Sequence, residues 1–137
     1  MIILGHGFCS SGLFFAANTL FLRSLSRNFM ILKGFQLILP SLGLGWFVLT
    51  AANMAAPPSL NFFGEIGSLV ALLGWNLFLR LPLGVIIFLA GFYSLVLYIK
   101  TQHGFLTDNS ASFRSASVKE VLVLRLHWVP LNLLFLK

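Results

Sequence analysis

"AANMAAPPSLNFFGEIG", residues 51–67, decides how this chain folds. Pro57 and Pro58 each lack a backbone N–H, and each steers the preceding residue away from helical backbone, so no continuous helix passes through them. Glu65 follows, a lone acid in an apolar stretch. No Asp, Glu, Lys or Arg stands between Lys33 and Glu65, between Glu65 and Arg80, or between Arg80 and Lys100. About 20 apolar residues suffice to cross the hydrocarbon core of a bilayer. With 58% of its 137 residues hydrophobic and 9% charged, and a mean hydropathy of +0.96, the chain reads as an all-α membrane protein surrounded by lipid.

The net charge of +6 raises the question of nucleic acid. The basic residues fall mostly between apolar runs and form no stripe alternating with exposed aromatics, so they read as anchors that orient spans, and no nucleic-acid partner is expected. Cys9 is the one cysteine, which excludes an internal disulfide and suits a small packing residue. The start, "MIILGHG", has neither a basic n-region with a cleavage site nor an Arg-rich transit pattern. The three histidines, Cys9 and the acids Glu65, Asp108 and Glu120 show no ligand spacing, so no metal site is expected. "SLGLGWF" at 41–47 lacks the spacing of a phosphate-binding glycine loop and suits close helix packing.

Working outward, residues 1–22 form a first apolar helix with His6 and Ser10 at i and i+4 on one face, ending in "RSLSRN". A second segment runs from Phe35 or Pro40 to Ala56, and a third from Pro57 to Leu79, with Pro57 or Pro58 as its first helical residue. A fourth runs from Pro82 to Lys100, followed by the polar loop "TQHGFLTDNSASFRSAS". Ser117 and Glu120 read as a capping box that opens a last helix running through Pro130 to the C-terminus.

The second and third segments are either a hairpin of two spans or two halves of one interrupted helix. The interrupted reading places Arg23, Arg27, Lys33, Lys100, Arg114 and Lys119 on one side and Arg80 and Lys137 on the other, a sharper asymmetry than the hairpin gives. The small apolar residues around the prolines also suit a break inside protein. Length argues for the hairpin, because about 40 helical residues would reach roughly 60 Å.

Glu65 is the first candidate for chemistry, since an ionised carboxylate inside an apolar span costs at least ~3 kcal/mol and persists where it has a use. It reads as a group that takes and releases a proton, against a purely structural role locking helices together. His6 is the second, because imidazole titrates near working pH and relays protons between its nitrogens; its bland alternative is a hydrogen-bonded helix contact. Gly5 and Gly7 beside it allow close backbone approach. Thr50, Asn53, Ser59 and Asn61 surround the break and are expected to satisfy freed backbone groups or hold water there. His103 reads as solvated in the loop, and His127, beside Trp128, as interfacial.

Several of these motifs, in order, resemble one family. "GHGFCSSGLFFAAN", "SRNFMILKGFQLILP", "NMAAPPSLNFFGEI" and "HWVPLNLLFLK" are similar to the C-terminal third of the subunit 4 family of respiratory complex I, the antiporter-like membrane subunits, in its animal mitochondrial form. The resemblance covers the whole chain. It implies the last four helices of a fourteen-helix subunit built from inverted repeats, each with a discontinuous helix. These helices would span about 1–22, 35–56 plus 57–79 as one helix broken at Pro57-Pro58, 82–100 and 118–136.

By position, the resemblance makes Glu65 and His6 members of a proton pathway, supported by Pro57, Pro58, Asn53 and Asn61 around the broken helix, and turns Arg23 and Arg27 toward the matrix. It implies a multi-pass protein of the mitochondrial inner membrane, assembled with other complex I membrane subunits. That complex couples electron transfer from NADH to ubiquinone with proton translocation. No cofactor is expected in this chain, the NADH, FMN, iron–sulfur clusters and ubiquinone of the complex being handled by other subunits. The sequence departs from the pattern at Arg125, where the family usually has an apolar residue, and Met1 falls inside a helix, as in a partial sequence. The rivals are a subunit of a cation/proton antiporter complex and a purely structural membrane protein.

Overall fold

The structure is a computed structural model and describes residues 1–28, 32–105 and 114–134. Asp108, Lys137, part of the polar loop and the expected end of the last helix lie outside the described residues. What is described is helical: α1 (Ile2–Ser24), a short α2 (Phe35–Ile38), α3 (Pro40–Asn53), α4 (Leu60–Trp75), a 3-10 turn (Leu77–Leu79) leading into α5 (Arg80–Gln102), and α6 (Val118–Leu133).

The centre is a three-helix contact of α1, α3 and α6. Cys9, Ala16, Trp46, Leu49, Leu124 and Leu131 are buried there. Gly12 makes the approach possible, since a Cβ on it would stand 2.8 Å from Leu49 Cδ1 and 3.2 Å from His127 Cβ. Small residues at such crossings replace the hydrophobic drive that lipid does not supply. α4 lies against the first half of α1, and α5 against α3.

The break is longer than the two prolines. Helix α3 stops at Asn53 and α4 starts at Leu60, so neither proline is a first helical residue as the sequence suggested; both sit in the joint between. Pro58 keeps Pro57 out of helical backbone, which delays the restart. The far end also differs from expectation. α4 ends at Trp75, and the residues before Arg80 form the 3-10 turn, whose Phe78 N–H is accepted by Asn76 Oδ1 at 2.9 Å. α5 accordingly begins at Arg80 rather than Pro82 and runs past Lys100 to Gln102, burying Thr101 and Gln102, which the sequence assigned to the polar loop.

α5 brings the chain back to the end from which α3 departs, because Gly34 N–H donates to His103 C=O at 3.3 Å. Arg23, at the end of α1, meets the lead-in to α6 at that same end of the two helices. The capping box is present: Ser117 Oγ accepts from Glu120 N–H at 3.3 Å, and Glu120 Oε2 accepts from Ser117 N–H at 2.8 Å. Among the described residues, one helical stretch, Leu77–Gln102, is long and apolar enough to cross a membrane, and little of it is buried within the chain.

Candidate functional site

The joint is built from the end of α3. Ala56 N–H donates to Ala51 C=O at 3.0 Å and Ala55 N–H to Ala52 C=O at 3.2 Å. This is a Schellman closure, and its left-handed position is held by Ala55 at φ 53° instead of the usual glycine. Asn61, on the first turn of α4, reaches back across the joint. Its Nδ2 donates to Ala52 C=O at 3.0 Å and lies 3.4 Å from Cys9 Sγ, so one buried amide ties α1, α3 and α4 together. Gly5 of α1 faces that amide so closely that any Cβ there would overlap it. Gly7 faces open space, so of the two glycines beside His6 only Gly5 serves close approach.

The other polar residues around the break act elsewhere. Thr50 Oγ1 bonds back to its own helix at Trp46 C=O (2.9 Å), and Asn53 Nδ2 donates to Ser94 Oγ on α5 at 3.2 Å. Ser59 Oγ is buried with no hydrogen-bond partner among the described residues, as is Asn61 Oδ1. Of the four residues expected to satisfy freed backbone groups or hold water there, Asn61 is the one whose side chain bonds backbone across the joint among the described residues.

Glu65 stands one turn beyond Asn61 on α4. It lines a cleft of about 210 Å³ between α4 and α5 whose other walls are largely apolar, among them Leu69, Leu83, Ile86 and Ile87. Its carboxylate has no hydrogen bond or ion pair among the described residues. His6 is exposed and opens onto a different space, a groove of about 350 Å³ shared by α1, α3 and α5 in which Ser10, Asn53 and Tyr93 also lie. The fold therefore gathers His6 with Asn53, and Asn61 with the joint, but sets Glu65 and His6 in separate clefts.

The remaining histidines differ from each other. His103 is exposed, with its ring edge-to-face with Tyr98 at 5.6 Å. His127 is half-buried, its Nδ1 2.7 Å from Val123 C=O, and it packs against Gly12. Among the described residues no group of three His, Cys, Asp or Glu side chains could hold a metal ion.

One contact has no signature in the sequence. Arg23 and Glu120, 97 residues apart, form a bidentate pair at 2.7 and 3.1 Å, and Arg23 also donates to Arg114, Ser115 and Thr19 carbonyls. The capping box marks Glu120 as a helix-start acid, yet nothing along the chain names its partner.

A family described as NADH:quinone oxidoreductase/Mrp antiporter, transmembrane, matches residues 1–91, which include Glu65, His6, Asn53 and the joint. The chain belongs to this family. It is 44% identical over 136 residues to NADH-ubiquinone oxidoreductase chain 4 of Ceratitis capitata, covering 99% of this chain and 30% of that protein. It is 43% identical to that of Aedes aegypti, with the same coverage, and 45% identical over 138 residues to that of Mytilus edulis, covering 31% of it. The chain thus spans about 30% of the length of these curated relatives. Among the described residues, which are helical, the chain places an acid, Glu65, in a cleft between α4 and α5.

Proposed function

We propose that this chain is part of subunit 4 of NADH:ubiquinone oxidoreductase in the mitochondrial inner membrane. There it contributes to proton translocation coupled to electron transfer from NADH to ubiquinone. It assembles with other membrane subunits of that complex, while the NADH, FMN, iron–sulfur and ubiquinone chemistry belongs to other subunits. The single observation that carries the reading is Glu65: a carboxylate without a counter-charge among the described residues, in an apolar cleft one turn past a hydrogen-bonded helix break.

The mechanism follows from what that carboxyl can do. In a low-dielectric cleft its neutral form is the cheaper one, and water or a cation arriving from the joint or a neighbouring helix shifts the balance toward ionisation. Glu65 accordingly binds a proton when the cleft is dry and gives it up when the cleft is hydrated. His6, in the groove with Ser10 and Asn53, is the second carrier; the separation of the two clefts means that groups outside the described residues connect them.

The segments α3 and α4 are read as two halves of one membrane crossing. At about 1.5 Å per residue, their 14 and 16 residues reach roughly 21 and 24 Å, each short of the ~30 Å core. The meeting of Gly34 with His103 supports the same reading, since α5 alone carries the chain back. Together with α1, α5 and α6, whose expected end lies outside the described residues, this gives about four crossings.

The test replaces Glu65 with Gln in the full-length, assembled enzyme and counts protons moved per NADH oxidised. A lowered count or rate is expected, and unchanged stoichiometry with unchanged rate would overturn the assignment. The family's description also names antiporters. Sodium-driven pH change in vesicles bearing the full-length chain, without NADH, would favour a cation/proton antiport role instead.

A further inference from the structure

Arg125 lies within α6, and its guanidinium has no hydrogen bond or ion pair among the described residues. It shares one stripe of the helix with Val118 and Leu122, and those two are 85% and 55% exposed, so the stripe faces outward. With Ala116 and Val121 they line a shallow groove of about 250 Å³. Val118 also borders a second, polar cavity of about 470 Å³ over the lead-in to α6, into which Arg114 and Lys119 project. The one carboxylate lining that cavity, Glu120, is already engaged by Arg23. Arg114, Lys119 and Arg125 are therefore three cations lining two cavities that share Val118, and among the described residues no other acid lines either cavity.

Arg125 stands seven residues into α6 from Val118, roughly 10 Å along the axis. Side chains on a helix lean toward its N-terminus, so an extended arginine stem climbs back toward Lys119 and the polar cavity. A guanidinium placed this way buries its stem in hydrocarbon and carries its charge to the headgroup level. We propose that Arg125, with Lys119 and Arg114, holds the phosphate of an anionic phospholipid whose acyl chain lies along Val118, Val121 and Leu122. Charge complementarity selects the phosphate, and the apolar groove beneath it selects a lipid over a free anion.

This inference rests on the membrane reading of the chain but not on the proton role of Glu65. The assembled complex containing the full-length chain is washed in mild detergent, and its retained phospholipids are quantified against added phosphatidylglycerol, phosphatidylcholine or inorganic phosphate. Arg125→Leu is expected to lower retention of the anionic lipid roughly five- to tenfold while leaving phosphatidylcholine unchanged. Glu65→Gln is expected to retain it, whatever becomes of proton transfer. Equal retention by wild type and Arg125→Leu overturns the proposal, as does displacement by inorganic phosphate as effective as by lipid. Should Arg125→Leu not assemble, Lys119→Gln carries the same expectation of reduced retention. Arg125→Lys is then treated with a carbodiimide: cross-linking to a protein carboxylate overturns the lipid assignment, and retained lipid without a cross-link supports it.

Discussion

Gly5 and Gly7 differ in what faces them, and the difference is testable. A methyl at position 5 runs into the Asn61 amide, whereas one at position 7 meets open space. Gly5→Ala should cost about 1–3 kcal/mol by overpacking, while Gly7→Ala should be neutral or stabilising by up to ~1 kcal/mol. Thermal unfolding of the assembled, full-length subunit ranks them, and the reverse order would refute the contact. Asn61 invites a finer comparison, because its Nδ2 holds Ala52 C=O while its Oδ1 accepts nothing among the described residues. Asn61→Ala removes an unpartnered acceptor along with the donor and should cost only about 1 kcal/mol. Asn61→Asp keeps the shape but sets carboxylate oxygen against carbonyl oxygen, so it should be clearly worse in the same melt. Neither residue's role follows from its type alone. The sequence marks Asn61 as polar near a break, but its reach across to Ala52 depends on where α4 restarts.

Each helix end obeys a local rule, and those rules decide what the sequence makes visible. The capping box at Ser117–Glu120 is legible because both partners lie within one turn. The existence of the break is legible from two prolines, since the covalent ring forbids the helix. Its extent is not, because the Schellman closure at Ala51–Ala56 puts an alanine where glycine is the usual signal. Left-handed backbone costs an L-residue roughly 1–2 kcal/mol, so Ala55→Gly should leave the joint intact or firmer, and Ala55→Val should loosen it. Hydrogen exchange at the Ala55 and Ala56 amides checks this: slower or equal exchange in the glycine variant, faster in the valine one. Helix α6 offers a second comparison. Glu120→Gln keeps an acceptor for Ser117 N–H but loses the ionic contact with Arg23, whereas Glu120→Ala loses both. The alanine variant should be the less stable, by about 1 kcal/mol from the cap, and protease cutting near Ser115 should report it. Arg23 was readable as a helix-end cation but not as this partner, since contacts between distant elements carry no local pattern.

For the whole molecule the arrangement of ends is the strongest statement. With Gly34 bonded to His103, residues near 27 and 105 belong to one side of the membrane and Asn76 to the other, if α3 and α4 share one crossing. Single cysteines placed at 27, 76 and 105 of the full-length chain, labelled with a membrane-impermeant thiol reagent, should react from one side at 27 and 105 and from the opposite side at 76. A hairpin would instead put 27 and 76 together. Charge counting alone leaned this way, and the short α3 and α4 add a length argument that the sequence hid by letting apolar residues run on through the joint. The Glu65 and His6 clefts show the opposite limit: the residues could be named from sequence, while their separation is a property of packing among α1, α4 and α5. The pair between Arg23 and Glu120 also has a meaning in time. Its first half emerges from the ribosome 97 residues before its second. During synthesis, therefore, α1 is made with its terminal guanidinium still waiting, and the arrival of α6 is what fastens it. A nascent chain cut short before Glu120 lacks that fastening, so the end of α1 stays untied until α6 has been made.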